Sequence, residues 1–525
     1  MAVFSLQAAL ALIPSSLAIT AHEGDLLHML DAALRMADGE RPHLDFMTPI
    51  GILGFAPVAG FLSLGFAVGK AAMLSNIAVA AALLPVTWWV GASRLTLAQA
   101  AFFGLAMLAL LTALIYGGGE TKTSFSMYYN RWAWGISFLI LAVAVFPARV
   151  DLFERIIAPV VIGAGMAVLA MLKVTFFVPL VPALFLILLA RKKLPALLGA
   201  IGVGLLIGVV LIGYLGWDFF LAYRDDLLMV AAPGSSRSFP GYGMSDIIAS
   251  PATMLGSLSL LASLIIFRKS GLMLQGLIIF ILAPAFMYIT YQNWGNDPKW
   301  LFFMVLFLWV NLPKPGLAGA FGLPARQSIL AILVVVSTLA FPSLQSMLIS
   351  PFRAAFGPRE GFVKLPLQDE NLADIYLKRG KVLTARFDSP VPGLAPSLPL
   401  REPVVLNDYR FPDCQSDRSP VAMALAMVRE MEANGEAIGK QVLTADILSA
   451  SWLLGNVARV EGAAPWYYGG DSGLEHAEYL SVPLCPVRQT SRKQMTDRFL
   501  AADIALEEVF RSDLQVLFRV GRNGS

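Results

Sequence analysis

From its first residues to about residue 345 the chain is a succession of roughly eleven apolar stretches joined by short polar loops. Stretches of that kind leave few choices. In hydrocarbon a backbone must satisfy its own hydrogen bonds, and bundled helices do so. The composition agrees: 57% of the 525 residues are hydrophobic, only 14% are charged, and the mean hydropathy is +0.68. A soluble domain carries about one-quarter charged residues. The fold class that follows is a polytopic α-helical membrane protein. A net charge of +3 with no long basic run excludes nucleic acid as a partner.

The expected spans are 3–20, 71–92, 98–116, 132–147, 157–172, 174–190, 195–215, 251–267, 271–290, 301–312 and 328–342. The first contains Pro14 and ends in small residues, as a signal peptide does. No Lys or Arg lies in its first twenty residues, so it reads as an uncleaved helix. The run 157–190 is too long for one crossing and is broken at Lys173. Gly204 and Gly208 have the spacing of a helix-packing face. The stretch 51–69 is apolar but glycine-rich, and is either a short span or a helix lying under the headgroups. Basic loops at Arg191-Lys192-Lys193 and Arg268-Lys269 belong in the cytoplasm. If 51–69 does not cross, the N-terminus is cytoplasmic, and residues 22–50 and everything after the last span lie outside. In a bacterium this is an inner (plasma) membrane protein with a periplasmic C-terminal part.

Beyond residue 345 the chain turns polar and, at first, proline-rich. The expected division is a transmembrane domain over 1–345 and a mixed α/β soluble domain over 346–525. Residues 402–406 and 513–520 have strand character; 419–434 and 497–510 read as helices. Trp466-Tyr467-Tyr468-Gly469-Gly470-Asp471 reads as a structural turn. Cys414 and Cys485, the two cysteines of the chain, suit a disulfide if the compartment oxidises thiols.

Residues 22–50 are the most charged stretch of the apolar half and hold three of the four histidines. Residues 24–39 alternate Asp25, His28, Asp31, Arg35 and Asp38 with leucines and alanines at helical spacing, which predicts an amphipathic helix in the interface. On that reading Asp31 and Asp38 are its wet face and His28 a surface residue. Further outward-facing polar groups sit at 117–131, 216–250 and 291–300, with Lys173 at the outer end of its hairpin. Carboxylates can take a proton from an acceptor hydroxyl, cations can hold a phosphate as it leaves, and aromatic and amide groups suit a sugar. Together they describe sugar transfer from a lipid-phosphate carrier. His22 and His43 with Glu23 and Asp45 would be the candidates for a divalent cation, but their spacing forms no metal-binding pattern, and no metal ligand is assigned.

The order His22-Glu23, helix 25–38, Gly39 and Pro42-His43-Leu44-Asp45-Phe46 resembles the first external loop of the GT-C glycosyltransferases. That superfamily includes protein O-mannosyltransferases, lipid A aminoarabinose transferases and rhizobial lipopolysaccharide-core transferases. The resemblance covers about residues 1–345 and implies an inverting transferase with a polyprenyl-phosphate sugar donor and a glycan, lipid or protein acceptor. Where the family places its first acid, this chain has His22. The base is then Glu23, Asp45 or Asp25, in that order, with His22 itself, or loss of the activity, as the remaining alternatives. Arg131, Lys173 and Arg224 would hold the donor phosphate; Asn293, Trp294 and Asp297 would shape the sugar site. The C-terminal domain would cover the cavity and help choose the acceptor. A transporter or flippase, or a non-catalytic envelope-assembly protein, are the alternatives. Clustering of charge at one face rather than at mid-membrane weighs against transport.

Overall fold

The computed structural model describes residues 1–119, 121–232, 244–293, 297–383, 403–416 and 419–521. The apolar half runs α1 (Ala2–Leu12), β1 (Leu17–Ile19), α2 (Glu23–Ala37), α3 (Ala56–Ser63), α4 (Val68–Arg94), α5 (Leu97–Thr112), α6 (Tyr128–Val145), α7 (Glu154–Leu172) and α8 (Val174–Ala190). It continues through α9 (Leu194–Leu215), α10 (Trp217–Ala231), α11 (Met244–Ala249), α12 (Pro251–Lys269), α13 (Met273–Gln292), α14 (Trp300–Val310) and α15 (Ala325–Phe356). The polar half contains β2 (Phe362–Lys364), β3 (Ile375–Lys378), α16 (Arg379–Leu383), β4 (Val405–Leu406), β5 (Tyr409–Arg410), α17 (Pro420–Asn434), β6 (Val442–Thr444), β7 (Tyr479–Pro483), α18 (Gln489–Ala501), β8 (Ala505–Arg511) and β9 (Gln515–Gly521).

Among the described residues six helices, α4, α7, α9, α12, α13 and α15, are long and apolar enough to cross a membrane; α1, α5, α8 and α14 are shorter and apolar. With α6 they occupy the apolar stretches read from the sequence. α6 is buried along its whole length, the mark of a helix that others surround. α9 is the opposite: of its 22 residues only Leu197 and Ala200 are buried, which suits a lipid-facing helix. Gly163 lets α7 lie directly on α9, since a Cβ there would come within 2.3 Å of the Ala200 carbonyl oxygen. Gly204 sits at that crossing, whereas Gly208 faces open space. The break at Lys173 is present, with extended backbone between α7 and α8. α3, with eight residues, is about 12 Å long, too short to span. It packs between α2 and α4, so 51–69 lies alongside the bundle.

Three expectations change. The segment 3–20 is helical only to Leu12; Pro14 cannot continue a helix, and β1 leaves to pair in parallel with β3. The helix carrying residue 345 continues to Phe356. The helix expected at 497–510 is instead the end of α18 followed by β8, which finds hydrogen-bond partners along β9. Its pair of glutamates between apolar residues fits either period, and the neighbouring strand decides.

β1, β3 and β2 form one sheet, so the segment after α1 is stitched into the C-terminal domain. Asp374, just before β3, accepts hydrogen bonds from the Gly69 and Lys70 amides at 2.5 and 2.9 Å, capping α4. The second core lies on a four-stranded sheet ordered β6-β7-β9-β8, built around Leu443, Leu480, Val482 and Phe518. α17 packs beside it, entered through the Ser419 cap and Pro420 and closed by Gly435 in the left-handed region. Cys414 and Cys485 form a disulfide. At the other end of the bundle Arg94 and Lys193 meet Glu154 at 2.5 and 3.4 Å, gathering the ends of α4, α7 and α9.

Candidate functional site

α2 is covered on both faces. Its leucines pack on the bundle, and its polar side meets the C-terminal domain. Asp31 is fully buried, not wet: its carboxylate accepts from Arg35 Nε at 2.6 Å and from Trp452 Nε1 at 2.9 Å. Arg35 also donates to the Val460 carbonyl. Only Asp38 keeps an exposed ion pair, with Arg459 at 2.7 Å. The cause is a domain some four hundred residues away in sequence, which supplies the partners water would otherwise provide.

The first turns of α2 therefore face an enclosed space. Asp25, His28, Ser126, Tyr129, Asn130, Lys173, Gln292, Asn293, Trp466 and Tyr468 are among the residues that line a cavity of about 60 Å³. Ser126 donates to Asp25 at 2.7 Å, and Ser124, which holds the Ser126 amide, also meets His22 Nδ1 at 2.9 Å. Burial raises the Asp25 pKa above the usual carboxylate range, against the Ser126 hydrogen bond and the field of His22. The Lys173 ammonium lies 5.2 Å from the centre of the Tyr129 ring. His28 is pushed down to about 3, first by burial and then by Lys173.

A second, smaller cavity shares Met127, Asn130 and Asn293 with the first. It is lined by Tyr116, Arg131, Asp297 and Lys299. Arg131 and Lys299 are both buried, and Asp297 lies 3.5 Å from Lys299 and is held by Ser343. Arg131 gives one N–H to the Ala113 carbonyl at 2.7 Å; its Nε and Nη1 have no partner among the described residues. Burial lowers the Lys299 pKa, Asp297 raises it, and Arg131 lowers it further. Among the described residues no group of three His, Cys, Asp or Glu side chains gathers to hold a metal ion.

Two solved structures are similar to this chain. They are crystal structures of ArnT from Cupriavidus metallidurans, one bound to undecaprenyl phosphate and one in the apo state. Each aligns with 98% of this chain and 97% of its own, at 10% identity and a TM-score of 0.37 for the bound form, and 11% and 0.42 for the apo form. Likeness at that level assigns neither a residue role nor an activity to this chain. No family model matches the chain, and no curated protein matches its sequence.

Of the residues singled out from the sequence, the structure brings Asp25, Lys173 and Asn293 to the first cavity, and Arg131, Asn293 and Asp297 to the second. Glu23 is turned away from both and pairs with Lys381 at 3.1 Å. Asp45 closes its own loop by accepting from the Arg41 amide at 2.7 Å. Arg224 is exposed on α10 and pairs with its neighbour Asp225. Trp294 lies outside the described residues. Lys299 lines the second cavity; His28, expected at the surface, is buried and lines the first, as do Trp466 and Tyr468 of the expected turn, which the C-terminal domain brings against it. Their sequence signals were a lysine two residues after Asp297 in a loop, a histidine on the Asp25 face of a helix, and an aromatic run beside two glycines.

Proposed function

We propose that the chain is a GT-C-like glycosyltransferase of the bacterial inner membrane. It moves a sugar from a polyprenyl-phosphate donor to an envelope glycan, lipid or protein on the outer face. One observation carries this reading: two buried cations, Arg131 and Lys299, line one cavity whose only carboxylate among the described residues, Asp297, pairs with Lys299, and two Arg131 donors lack partners among the described residues. Buried positive charge is costly unless an anion and hydrogen-bond acceptors complete it. A phosphate supplies both. Set at the end of an apolar bundle, such a site suits a phosphate carried on a lipid. Arg94 and Lys193 at the opposite end support an outer location for it.

The cavity joined to this site supplies the base. Asp25, buried and raised, is suited to take a proton from an acceptor hydroxyl. As that oxygen bonds to the anomeric carbon, the bond from that carbon to the phosphate oxygen breaks. The phosphate keeps the electron pair and leaves as polyprenyl phosphate, its added charge met by Arg131 and Lys299. Attack from the side opposite the leaving group inverts the anomeric centre. Lys173 borders the acceptor side, and Glu23 serves to hold α2 against the C-terminal domain through Lys381.

The test is release of free polyprenyl phosphate from a polyprenyl-phosphate sugar, with a membrane extract as acceptor. Asp25→Asn is expected to lower the rate by at least about 100-fold, and Arg131→Gln to lower it as well, while Glu23→Gln stays within a few-fold of the parent. An unchanged rate in Asp25→Asn would remove the assignment of base.

A further inference from the structure

We infer that Trp466, Tyr468 and His28 form the wall against which the transferred sugar lies, and that this wall selects a neutral sugar ring over a cationic amino sugar. The inference rests on the transferase reading and deepens it. Two parts of the chain that share no local context build the wall. Trp466 and Tyr468 come from the aromatic and glycine run between β6 and β7; His28 comes from the second turn of α2. All three line the cavity that also holds Asp25. The two aromatic side chains are half-buried where they line the cavity.

A pyranose has an apolar face of C–H groups and a rim of hydroxyls. Aromatic rings take the first, and uncharged hydrogen-bonding groups take the second. The Trp466 and His28 rings are 5.5 Å apart and tilted by 42°, a continuous surface of two unlike rings. His28 is only 5% exposed, and its Nε2 has no hydrogen-bond partner among the described residues. Leaving a buried polar atom unsatisfied is unfavourable, and a sugar hydroxyl would satisfy it. Gly470 keeps the run in position. It is in the left-handed region and lies so close to Met229 of α10 that a Cβ would come within 2.7 Å of its sulfur.

The selection against a cation has its own basis. Lys173 lines the same cavity as His28, and its charge together with burial keeps that imidazole neutral. Any second ammonium brought to this wall would meet the same two obstacles, loss of water and the field of Lys173. Asp25 lies with Ser126, in the fields of His22 and Glu23. It serves the acceptor there.

The experiment uses the full chain in lipid nanodiscs and isothermal titration calorimetry. The probes are farnesyl phosphate, farnesyl phosphate carrying glucose or galactose, and farnesyl phosphate carrying glucosamine. The parent protein is expected to bind a neutral-hexose form about tenfold tighter than bare farnesyl phosphate, and tighter than the glucosamine form. Trp466→Leu and Tyr468→Leu should each remove most of that preference while binding of bare farnesyl phosphate is retained, and Trp466→Phe should keep it. The inference is overturned if neither hexose form binds tighter than bare farnesyl phosphate, if the glucosamine form binds as tightly, or if the leucine variants weaken all probes equally. If Trp466→Leu does not fold, Tyr468→Leu decides. Failure of the parent to bind any probe overturns the transferase reading, and this inference with it. Binding of bare farnesyl phosphate without hexose preference overturns this inference alone.

Discussion

A histidine buried beside a lysine has little choice but to stay neutral. His28 takes up a proton in the folded chain only near pH 3, against 6.5 when free, because burial and then Lys173 oppose its charge. The folded pKa lies below the unfolded one. Between those two values the unfolded chain binds the extra proton and the folded chain does not, so stability falls as the pH falls. Inside the window the slope is up to about 1.4 kcal/mol per pH unit. His28→Asn keeps a neutral side chain of similar reach and removes the titration. Its unfolding temperature in detergent micelles should fall less steeply than the parent's from pH 6.5 to pH 4. Equal slopes would mean that His28 is already charged in the folded protein, and the neutral wall would be lost with it. At the same scale Asp25 and Glu23, two residues apart, have different roles because one turns into a cavity and the other toward Lys381.

At the scale of the element, α2 is the part on which the site depends. Its apolar stripe seats it on the bundle, and the buried pair Arg35 and Asp31 fixes its rotation against Trp452 and the Val460 carbonyl. Breaking a buried pair from one side leaves a buried charge without its counter-charge, here an Asp31 carboxylate held by Trp452 alone. Arg35→Leu should therefore cost about 3–5 kcal/mol, read as a lower unfolding temperature in micelles. Arg35→Leu combined with Asp31→Asn should recover part of the loss, because the stranded carboxylate is gone. A single variant as stable as the parent would show that the pair does not anchor the helix. Period and amphipathicity made α2 legible in the sequence. They could not show that its polar face is dry, since the residues that cover it, Trp452, Arg459 and Val460, are remote in the chain.

The whole molecule is two halves sewn together: β1 enters the sheet of the C-terminal domain, Asp374 caps α4, and the 466–470 run roofs the cavity of the bundle. This union constrains topology, because α2 and the C-terminal domain must share one side of the membrane. Single cysteines at the exposed positions Asp38 and Asp471 should react with an impermeant maleimide added to intact cells, and one at Lys192 should react only after lysis. Labelling of position 192 from outside, or of 38 and 471 from opposite sides, would reverse the orientation and the outer-face reading. The Cys414–Cys485 disulfide agrees with an oxidising compartment around the C-terminal domain.

Hydropathy by itself located the apolar helices, though not the end of the first or of the last, together with the break at Lys173 and the polar C-terminal half, because lipid imposes length and satisfied backbones on every segment independently. Chemistry residues such as Asp25, Arg131, Lys173 and Asn293 were also visible, as polar groups in a chain with few of them. Only the tertiary structure decided which of them meet. Glu23, Asp45 and Arg224 lie in equally polar stretches, yet each is satisfied by a neighbour away from the cavities. Lys299 and Arg131 become a pair only when the loop before α14 packs on α6. Trp466 and Tyr468 join Asp25 only through contact between the two halves. Local sequence sets period and polarity; which side chains share a buried space depends on long-range packing that no window of residues contains.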